Sequence, residues 1–303
     1  MAEQPVFSAP PRPSRNPALS MCIDLHTHSI YSDGNCTPAE LVALAVANGL
    51  RGLALTDHDT VEGVEEIRRL GTEVGIAVIS GVEISTSLHE RTIHILGYGI
   101  DPANAELLRW LVPLQEGRER RNAAIIQKLQ NLGIDITAEE VGVISRCGQT
   151  GRPHIARLLM AKGVVDSFDA AFRRYLGRHR PAWEGRFSYS AVETIGMIHR
   201  AGGVAVLAHP GQIDPTMVAQ PALVRELARR GLDGMELHYP THTRRMKKHL
   251  KALAAELGLL VTGGSDFHGN TRPVHRLAGK NMGFCPPCSI LEQLTARLTG
   301  LHH

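Results

Sequence analysis

Short apolar runs alternate with amphipathic stretches along most of this 303-residue chain, and this alternation constrains the fold more than any other feature. From residue 22 onward, runs such as Gly52–Thr56 predict buried strands, and stretches such as Val61–Gly75 predict the helices that follow them. Strands that alternate with helices are typical of an α/β fold with a parallel sheet. The predicted strands are Cys22–Leu25, Gly52–Thr56, Ala77–Ile84, Thr92–Tyr98, Val204–Ala208, Gly234–His238 and Leu260–Gly264.

The alternation stops between residues 102 and 186, where the pattern is mostly helical. We therefore predict a barrel formed by residues 22–101 and 187–300, with residues 102–186 inserted as a basic helical cap over the substrate. From Arg109 to Arg186 the chain has 14 Lys and Arg but only 8 Asp and Glu, although the net charge of the whole chain is only +3. This local excess indicates an attraction for anions. A solvated basic helix face would give the same charge pattern.

The N-terminal residues, the lack of long apolar runs and the cysteines indicate the cellular compartment of the protein. Residues 1–21 are rich in proline and have no apolar core, so we predict a disordered extension rather than a signal peptide, with Met21 as an alternative start. No apolar run approaches the roughly 18 residues that span a bilayer. The odd number of cysteines, five, favours a reducing compartment and a cytoplasmic location. Cys285 and Cys288 have the spacing of a redox motif without the sequence surroundings of one.

Histidines and carboxylates recur where the predicted strands end. His26 and His28 are two residues apart, so on a strand both side chains point to the same face. His58 directly follows the second strand, and Glu83 lies at the end of the third. In α/β folds the functional site gathers at the carboxyl ends of the strands. The candidate metal ligands are His26, His28, Asp33, His58, Glu83, His94, His209, Asp266 and His268.

Taken singly, several of these residues have ordinary explanations. His94 could be a packed core histidine, and Asp33 could favour a turn before Gly34. Taken together, ionisable groups at successive strand ends would be costly to bury without metal or other partners. About four protein ligands suffice for one ion, so nine predict two or three divalent ions. Imidazole and carboxylate without thiolate suit Zn, Mn or Fe.

Six short motifs make the sequence similar to a known family. They are DLHTHSIYSDG, TDHDT, GVEIS, IHILG, AHPG and GSDFH. Their order and spacing resemble the PHP (polymerase and histidinol phosphatase) phosphoesterase superfamily over about Ile23–Phe284. The helical insertion and the segments Gly151–Arg157 and Tyr175–Arg178 are most similar to stand-alone members that act as 3′,5′-nucleoside bisphosphate phosphatases or as the 5′→3′ exoribonuclease RNase AM.

The resemblance implies a distorted (β/α)7 barrel with a trinuclear metal centre, with manganese favoured. One ion position would use His26, His28, Glu83 and Asp266. The second would share Glu83 and add His94 and His209. The third would use Asp33, His58 and His268. The nucleophile would be a hydroxide that bridges the metals and is held by Glu83, His94 and His209, while His209 and His268 are alternatives for an unassigned general acid.

Four residues of the insertion are candidates for holding the substrate. Arg152 and His154 follow a glycine at the start of a predicted helix, where backbone amides also favour an anion. Arg178 and Arg180 form a second basic pair, and arginine suits bidentate phosphate contacts. Other basic residues are predicted to be helix-surface charges, among them Arg118, Arg120 and Arg121. Asp57 and Asp59 flank His58 and are interpreted either as residues that orient metal-bound imidazoles or as surface or helix-capping residues.

The favoured function is metal-dependent removal of the 3′-phosphate from nucleoside 3′,5′-bisphosphates, or removal of 5′ nucleotides from short 5′-phosphorylated RNA. The expected partner is thus a nucleotide or short RNA, with no DNA duplex and no membrane, and protein partners stay open. A histidinol-phosphate phosphatase is an alternative, but it would need acidic groups for its cationic substrate. A non-catalytic accessory module of a polymerase is a second alternative, which the complete ligand set disfavours.

Overall fold

The structure, a computed structural model, describes residues 22–89, 91–145, 149–269 and 275–301. The predicted disordered extension at residues 1–21, with its alternative start at Met21, lies outside these ranges, and so does Cys147. Within the described ranges the chain alternates strands and helices, then continues through a block of helices, and finally alternates again. The predicted α/β organisation is therefore confirmed.

In the described part of the chain, seven strands form one sheet in chain order, so each strand lies beside its neighbours in sequence. The last strand returns to the first, because His28 N donates to Phe267 O (2.8 Å) and Phe267 N donates to His26 O (3.3 Å). The sheet therefore closes into the predicted (β/α)7 barrel. The strands are β1 Cys22–Thr27, β2 Leu50–Leu55, β3 Ala77–Leu88, β4 Arg91–Tyr98, β5 Val204–Leu207, β6 Gly234–His238 and β7 Leu260–Gly263.

The fourth strand departs from the parallel pattern that the sequence suggested. β4 is antiparallel to both β3 and β5, whereas β1, β2 and β3 are parallel to one another, as are β5, β6 and β7. Because β4 runs in the opposite direction, its first half lies at the edge where the other strands end. His94 lies in this half, opposite Ser85 of β3. The reversal therefore brings His94 to the carboxyl edge of the barrel.

Eleven α-helices in the described ranges surround the barrel or form the insertion. Local signals fix several of their ends; for example, Glu40 N donates to the Thr37 side chain and Thr37 N donates to the Glu40 carboxylate, a capping box. None of these helices is long and apolar enough to cross a membrane. The helices are α1 Pro38–Ala47, α2 Val64–Val74, α3 Ala105–Asn131, α4 Ala138–Ser145, α5 Arg152–Ala161, α6 Phe168–Ala171, α7 Ala191–Arg200, α8 Pro210–Ile213, α9 Gln220–Arg229, α10 Arg244–Leu257 and α11 Ser289–Leu301.

The helical block has an apolar core of its own. Ile125 and Leu129 of α3 pack with Ile155 and other buried residues of the block, and α6 continues there as a π-helical turn, Phe172–Leu176. The start of α3 packs against the barrel instead, since Leu107 lies in the core of the barrel. One long helix thus connects the two cores and fixes the block above the carboxyl edge. The division at residues 102–186 stays a prediction.

The cysteines differ from the sequence prediction, which expected reduced thiols. Cys22, the first residue of β1, forms a disulfide with Cys285, and their Cα atoms are 4.9 Å apart. The chain before α11 lies against β1, with Ile23 N donating to Pro286 O at 3.0 Å, and this contact brings the two cysteines together. Of the described cysteines, Cys36 and Cys288 form no disulfide. Sequence could not predict the pair because it joins residues 263 positions apart.

Candidate metal centre

The structure brings together all nine residues that the sequence analysis selected as metal ligands. They lie at the carboxyl edge of the barrel, where the strands and the loops after them meet. Most are buried, but His58 and His94 are half-buried and face a cavity. The nine residues are His26, His28, Asp33, His58, Glu83, His94, His209, Asp266 and His268.

These nine residues are called the metal cluster below, because their side chains are predicted to bind metal ions. Glu83 lies at the centre of the metal cluster. Its Oε2 lies 3.0 Å from Nδ1 of His58, 3.3 Å from Nε2 of His28 and 3.4 Å from Nε2 of His26. Its Oε1 lies 2.8 Å from Nδ1 of His94 and 3.1 Å from Nε2 of His209. One carboxylate thus faces imidazoles from two sides. This arrangement suits a carboxylate that bridges two cations.

Two aspartates complete the cluster. Asp266 places Oδ1 3.3 Å from Nε2 of His28, and it is not part of the described cavity lining. Asp33 places Oδ1 3.1 Å from Nε2 of His268 and Oδ2 3.9 Å from Nε2 of His58. The ligand atoms form three groups, and within each group they lie within 4.8 Å of one another. These groups are His26, His28, Glu83 and Asp266; His58, Glu83 and His94; and His28, Asp33, His58 and His268.

Several buried atoms in the cluster lack the hydrogen bond that buried polar atoms normally make. Among the described residues, none bonds to Nε2 of His26, Nε2 of His28, Nδ1 of His58 or Oε2 of Glu83. A buried polar atom without a partner costs about 1–3 kcal/mol, and these four converge on one point. Cations between them would satisfy all four, so the residues present fit a multi-metal site.

The charge states also suit metal binding. Burial alone would raise the pKa of Glu83, but the nearby imidazoles of His58 and His94 hold it well below its usual range. Asp33 is likewise shifted down, because His268 and His58 outweigh the effect of burial on its pKa. Burial lowers the pKa of His58 to about 4. Glu83 and Asp33 are therefore ionised and His58 is neutral near pH 7, as metal ligands must be. Nearby carboxylates outweigh burial and raise the pKa of His26 and His28, so a cation would replace a proton on each of these two rings.

Two buried aspartates support the cluster through serines instead of imidazoles. Asp57 accepts from Ser29 N (2.7 Å) and from the Ser29 hydroxyl (2.6 Å), directly after His28. Asp24 accepts from Ser265 N (2.9 Å) and from the Ser265 hydroxyl (2.6 Å). Each aspartate thereby fixes the backbone next to a metal-cluster residue. The sequence interpretation of Asp57 as an orienting residue has this indirect physical basis.

Two other buried residues, which the sequence analysis did not select, contact the cluster directly. Glu236 of β6 lies with Oε1 3.2 Å from Nδ1 of His26, and its Oε2 accepts from His209 N at 2.8 Å. The Tyr239 hydroxyl donates to Oδ2 of Asp266 at 2.9 Å. A glutamate inside an apolar strand was the signal for Glu236, since a buried carboxylate needs partners. Tyr239 had no comparable signal.

The prediction that Arg118 and Arg121 are surface charges is wrong. Their exposed fractions are only 7% and 5%, and both line the cavity over the metal cluster. Arg120, between them in sequence, is exposed as predicted. Positions 118, 121 and 125 recur on one face of α3, and Ile125 packs into the core of the helical block. Helical spacing, read together with that apolar residue, was the available signal.

Asp59 holds arginines and not an imidazole, which corrects its predicted role. Its Oδ2 accepts from Nε of Arg118 and from Nη1 of Arg186, each at 2.7 Å, and its Oδ1 accepts from Ser85 N at 3.0 Å. Burial would raise the pKa of Asp59, but the two guanidinium groups lower it strongly. Because Asp59 follows His58, this contact ties the metal-cluster loop to the helical block.

The three predicted substrate arginines lie in different places. Arg152 is the first residue of α5, lines the cavity and has its guanidinium 5.9 Å from the ring centre of Phe172. Arg178 is exposed and lines the same cavity. Arg180 is exposed and does not belong to the described lining. The structure therefore brings Arg152 and Arg178 to the cavity and leaves Arg180 outside it.

His154 is completely buried beneath this region. Its Nδ1 accepts from Gly151 N at 3.0 Å and so caps the start of α5. Its Nε2, which must then carry the proton of the neutral ring, has no hydrogen-bond partner among the described residues. Burial lowers the pKa of His154 to about 4. The residue is a neutral cap, and it does not line the cavity.

The metal cluster and the buried arginines share one cavity of about 530 Å³. Asp33, His58 and His94 form its metal wall. The arginine cluster, defined here as Arg118, Arg121, Arg152 and Arg186, forms much of the rest of the lining. One side of the cavity thus suits cations and the other suits anions. At the carboxyl edge of a barrel, this combination is typical of a hydrolase that cleaves phosphate esters with the help of metal ions.

Comparison with known proteins agrees with this class. The family model described as PHP domain matches residues 24–166. A 5′-3′ exoribonuclease of Haemophilus influenzae is 38% identical over 81% of this chain and 89% of its own length. A 3′,5′-nucleoside bisphosphate phosphatase of Chromobacterium violaceum is 35% identical over 81% of this chain and 87% of its own. The chain belongs to the PHP domain family.

A solved structure supports the fold in the same way. A protein of Bifidobacterium adolescentis described as a metal-dependent phosphoesterase superposes with a TM-score of 0.82 at 31% sequence identity. The match covers 93% of this chain and 97% of that one, so it includes the helical block as well as the barrel.

Proposed function

We propose that this protein is a metal-dependent phosphohydrolase that removes the 3′-phosphate from nucleoside 3′,5′-bisphosphates. The observation that carries the proposal is the single cavity in which the metal cluster meets the arginine cluster. A substrate with two phosphates, separated by a ribose, can place one against each wall. The relative from Chromobacterium violaceum is named for this reaction, which supports the proposal.

We propose that the cluster holds two or three divalent ions, with manganese favoured over iron or zinc. His26, His28, Glu83 and Asp266 would hold the first ion, Glu83, His94 and His209 the second, and Asp33, His58 and His268 the third. When bound, such ions bring the pKa of a water toward neutrality and neutralise charge on a phosphate. The first group of converging ligand atoms matches this division in full, and the other two overlap it: His28 joins Asp33, His58 and His268, and His58 joins Glu83 and His94. The contact of His209 with Oε1 of Glu83 at 3.1 Å supports its assignment to the second ion.

The chain's own residues orient the reaction. Glu83, His94 and His209 surround the place proposed for the attacking water, with two imidazole nitrogens within 3.1 Å of Oε1 of Glu83. Glu83 stays ionised there, because the surrounding imidazoles hold its pKa low. His94 is half-buried and lines the cavity, so the 3′-phosphate would approach from its side.

The arginine cluster would hold the second phosphate. Burial lowers the pKa of Arg121, and so does repulsion from Arg118, Arg186 and Arg152. Asp59 balances only part of this positive charge. A bound phosphate would relieve the repulsion and accept bidentate hydrogen bonds, for which guanidinium groups are well shaped. This arrangement is the physical basis for treating the helical block, residues 102–186, as a substrate cap.

Two aromatic side chains line the same cavity and suit a nucleoside. Phe172 and Trp183 are both half-buried there, close to the arginines in the lining. Aromatic faces stack on nucleobases without requiring a particular base. We propose that they receive the base, while Arg178 supports the phosphate end from the cavity lining. His154 would act only indirectly, through the start of α5 that it caps, and Arg180, outside the lining, would contribute little.

Short 5′-phosphorylated RNA is a second candidate substrate, and one feature favours it. The cavity adjoins another of about 600 Å³, and the two share Arg91, Thr92 and Arg178 in their linings. A strand could continue from the metal cluster into this second cavity. The relative from Haemophilus influenzae is named as a 5′-3′ exoribonuclease, which supports this reading.

The remaining alternatives have less support. An arginine-lined cavity is a poor site for a cationic substrate such as histidinol phosphate, and a complete set of buried ligands is not expected of a non-catalytic module. A cytoplasmic location stays a proposal. The Cys22–Cys285 disulfide runs against the reducing compartment on which that prediction rested.

A substrate panel tests the proposed function. The protein, loaded in turn with Mn, Fe or Zn, should be assayed for kcat/KM with adenosine 3′,5′-bisphosphate, 3′-AMP, histidinol phosphate and a 5′-phosphorylated oligoribonucleotide. We expect the bisphosphate or the oligoribonucleotide to be hydrolysed best, because only these place a phosphate on both walls. A preference for histidinol phosphate, or no hydrolysis by the metal-loaded protein, would contradict the proposal.

A further inference from the structure

We propose that Glu236 is a positioning residue that fixes the ring tautomer of one metal ligand and the backbone of another. The proposal rests on the metal site of the proposed function. Glu236 is fully buried in β6, behind the cluster, and its two carboxylate oxygens contact different ligands. It therefore acts on both sides of the site without touching the substrate.

The first contact determines which nitrogen of His26 can bind a cation. Nδ1 of His26 lies 3.2 Å from Oε1 of Glu236, while Nε2 points the other way, 3.4 Å from Oε2 of Glu83 and 3.5 Å from Oδ1 of Asp266. An ionised carboxylate only accepts hydrogen bonds, so Nδ1 must carry the proton. In the neutral ring that a cation requires, the lone pair is then on Nε2, directed at the cluster.

The second contact holds His209 in an unusual backbone conformation. His209 has φ 29° and ψ 55°, a positive φ that costs a residue other than glycine roughly 1–3 kcal/mol. Oε2 of Glu236 accepts from His209 N at 2.8 Å and stabilises this conformation. The same conformation directs Nε2 of His209 to within 3.1 Å of Oε1 of Glu83. One carboxylate thus couples the first proposed ion position to the second.

Glu236→Gln tests this role without changing the size of the side chain. Glutamine offers one acceptor and one donor, so it cannot accept from both His26 and His209. If its oxygen accepts from His209 N, its amide group donates to Nδ1 of His26 and moves the ring proton to Nε2. We expect the affinity for one divalent ion to fall about 10–100-fold, measured by titrating manganese or zinc against a competing chelator.

Thr262→Val is the matched control. Thr262 is fully buried and lies opposite Glu236 in the register of β6 and β7, and its hydroxyl faces the Tyr98 hydroxyl and not a metal ligand. This variant should bind metal as the wild type does. Excess metal should restore hydrolysis in Glu236→Gln, because the defect lies in metal affinity and not in chemistry.

Unchanged metal affinity and stoichiometry in a folded Glu236→Gln protein would overturn the proposal. Nitrogen-15 NMR of histidine-labelled, zinc-loaded wild type decides the question even if that variant does not fold. His26 should show a slowly exchanging proton on Nδ1, and finding the proton absent from Nδ1 would also overturn the proposal. If the wild type binds no divalent metal at all, the proposed function fails instead.

Discussion

The metal cluster and the arginine cluster face one cavity, but the chain builds them in opposite ways. The metal cluster comes from strand ends and the loops after them, where residues close in sequence, such as His26 and His28, act together. The arginine cluster comes from helix faces and loops, where Arg118 of α3 and Arg186 meet over Asp59 across a long stretch of chain. The barrel brings the metal ligands together because its strands end at the same edge. The helical block brings the arginines together because its helices and loops pack against one another.

The two clusters also differ in the charge of the ligand that each one favours. The metal cluster contains buried nitrogen and carboxylate atoms that no described residue satisfies, so it favours cations. The arginine cluster contains several buried guanidinium groups, of which two share the carboxylate of Asp59, so it favours anions. A phosphate ester supplies what each side lacks once metal is bound. This difference predicts that damage to the first cluster affects chemistry, whereas damage to the second affects selection of the substrate.

The largest expected effect comes from removing Asp33. Its carboxylate lies between His268 and His58, and no other described carboxylate contacts both of them. Asp33→Ala should lower kcat for a 3′-phosphorylated nucleotide by about three orders of magnitude or more, through loss of metal-assisted charge stabilisation. His268→Ala should behave similarly. Far-UV circular dichroism and the Tm should show that the fold is retained.

Asp166→Ala is a suitable control, because Asp166 is an exposed aspartate of the helical block. It should leave kcat unchanged. If Asp33→Ala also kept near wild-type turnover, the third ion position would be wrong. The conclusion that the metal cluster governs the chemical step would then fail as well.

The same contrast explains how much could be predicted from sequence. Every metal-cluster residue was predictable, because each lies in one of six short motifs that together resemble those of one family, and most of these motifs lie where a strand ends. The burial of Arg118 and Arg121 was not predicted, since a charge on a long helix is ordinarily solvated. Only the packing of α3 against the rest of the helical block shows which face is buried.

Long-range geometry accounts for the remaining differences. The reversal of β4 depends on pairing with both β3 and β5, and residues 91–98 alone do not reveal its direction. The role of Asp59 depends on Arg186, which is 127 positions away in sequence. The Cys22–Cys285 disulfide depends on the return of the chain to β1. These features arise from contacts between distant segments, about which local patterns carry no information.

A smaller and more selective effect is expected from the arginine cluster. Arg152→Ala should lower the ratio of kcat/KM for the bisphosphate to kcat/KM for 3′-AMP about 10–100-fold, since a hydrogen bond to a charged group contributes about 1.5–3 kcal/mol. Hydrolysis of 3′-AMP itself should change little. Arg180→Ala, which removes an arginine outside the cavity lining, should leave the ratio near that of the wild type. An unchanged ratio in Arg152→Ala would remove Arg152 from phosphate recognition.

The smallest effect concerns His154, which lies beneath the cavity and caps α5. Burial lowers its pKa to about 4 from an ordinary value of 6.5, so the unfolded chain binds a proton more readily than the folded protein. The stability contribution is therefore present above pH 6.5 and is lost as the pH falls toward 4. Between pH 7 and pH 5 the loss should be about 2 kcal/mol.

His154→Gln isolates this contribution, because glutamine at the same helical position can also accept from Gly151 N but does not titrate. Urea unfolding of both proteins with a chelator present should show that wild type loses more stability than the variant when the pH falls from 7 to 5. Groups common to both proteins cancel in this difference. If the difference in unfolding free energy did not change with pH, His154 would not be a buried neutral cap, and a protonated imidazole would belong with the arginine cluster as a further phosphate contact.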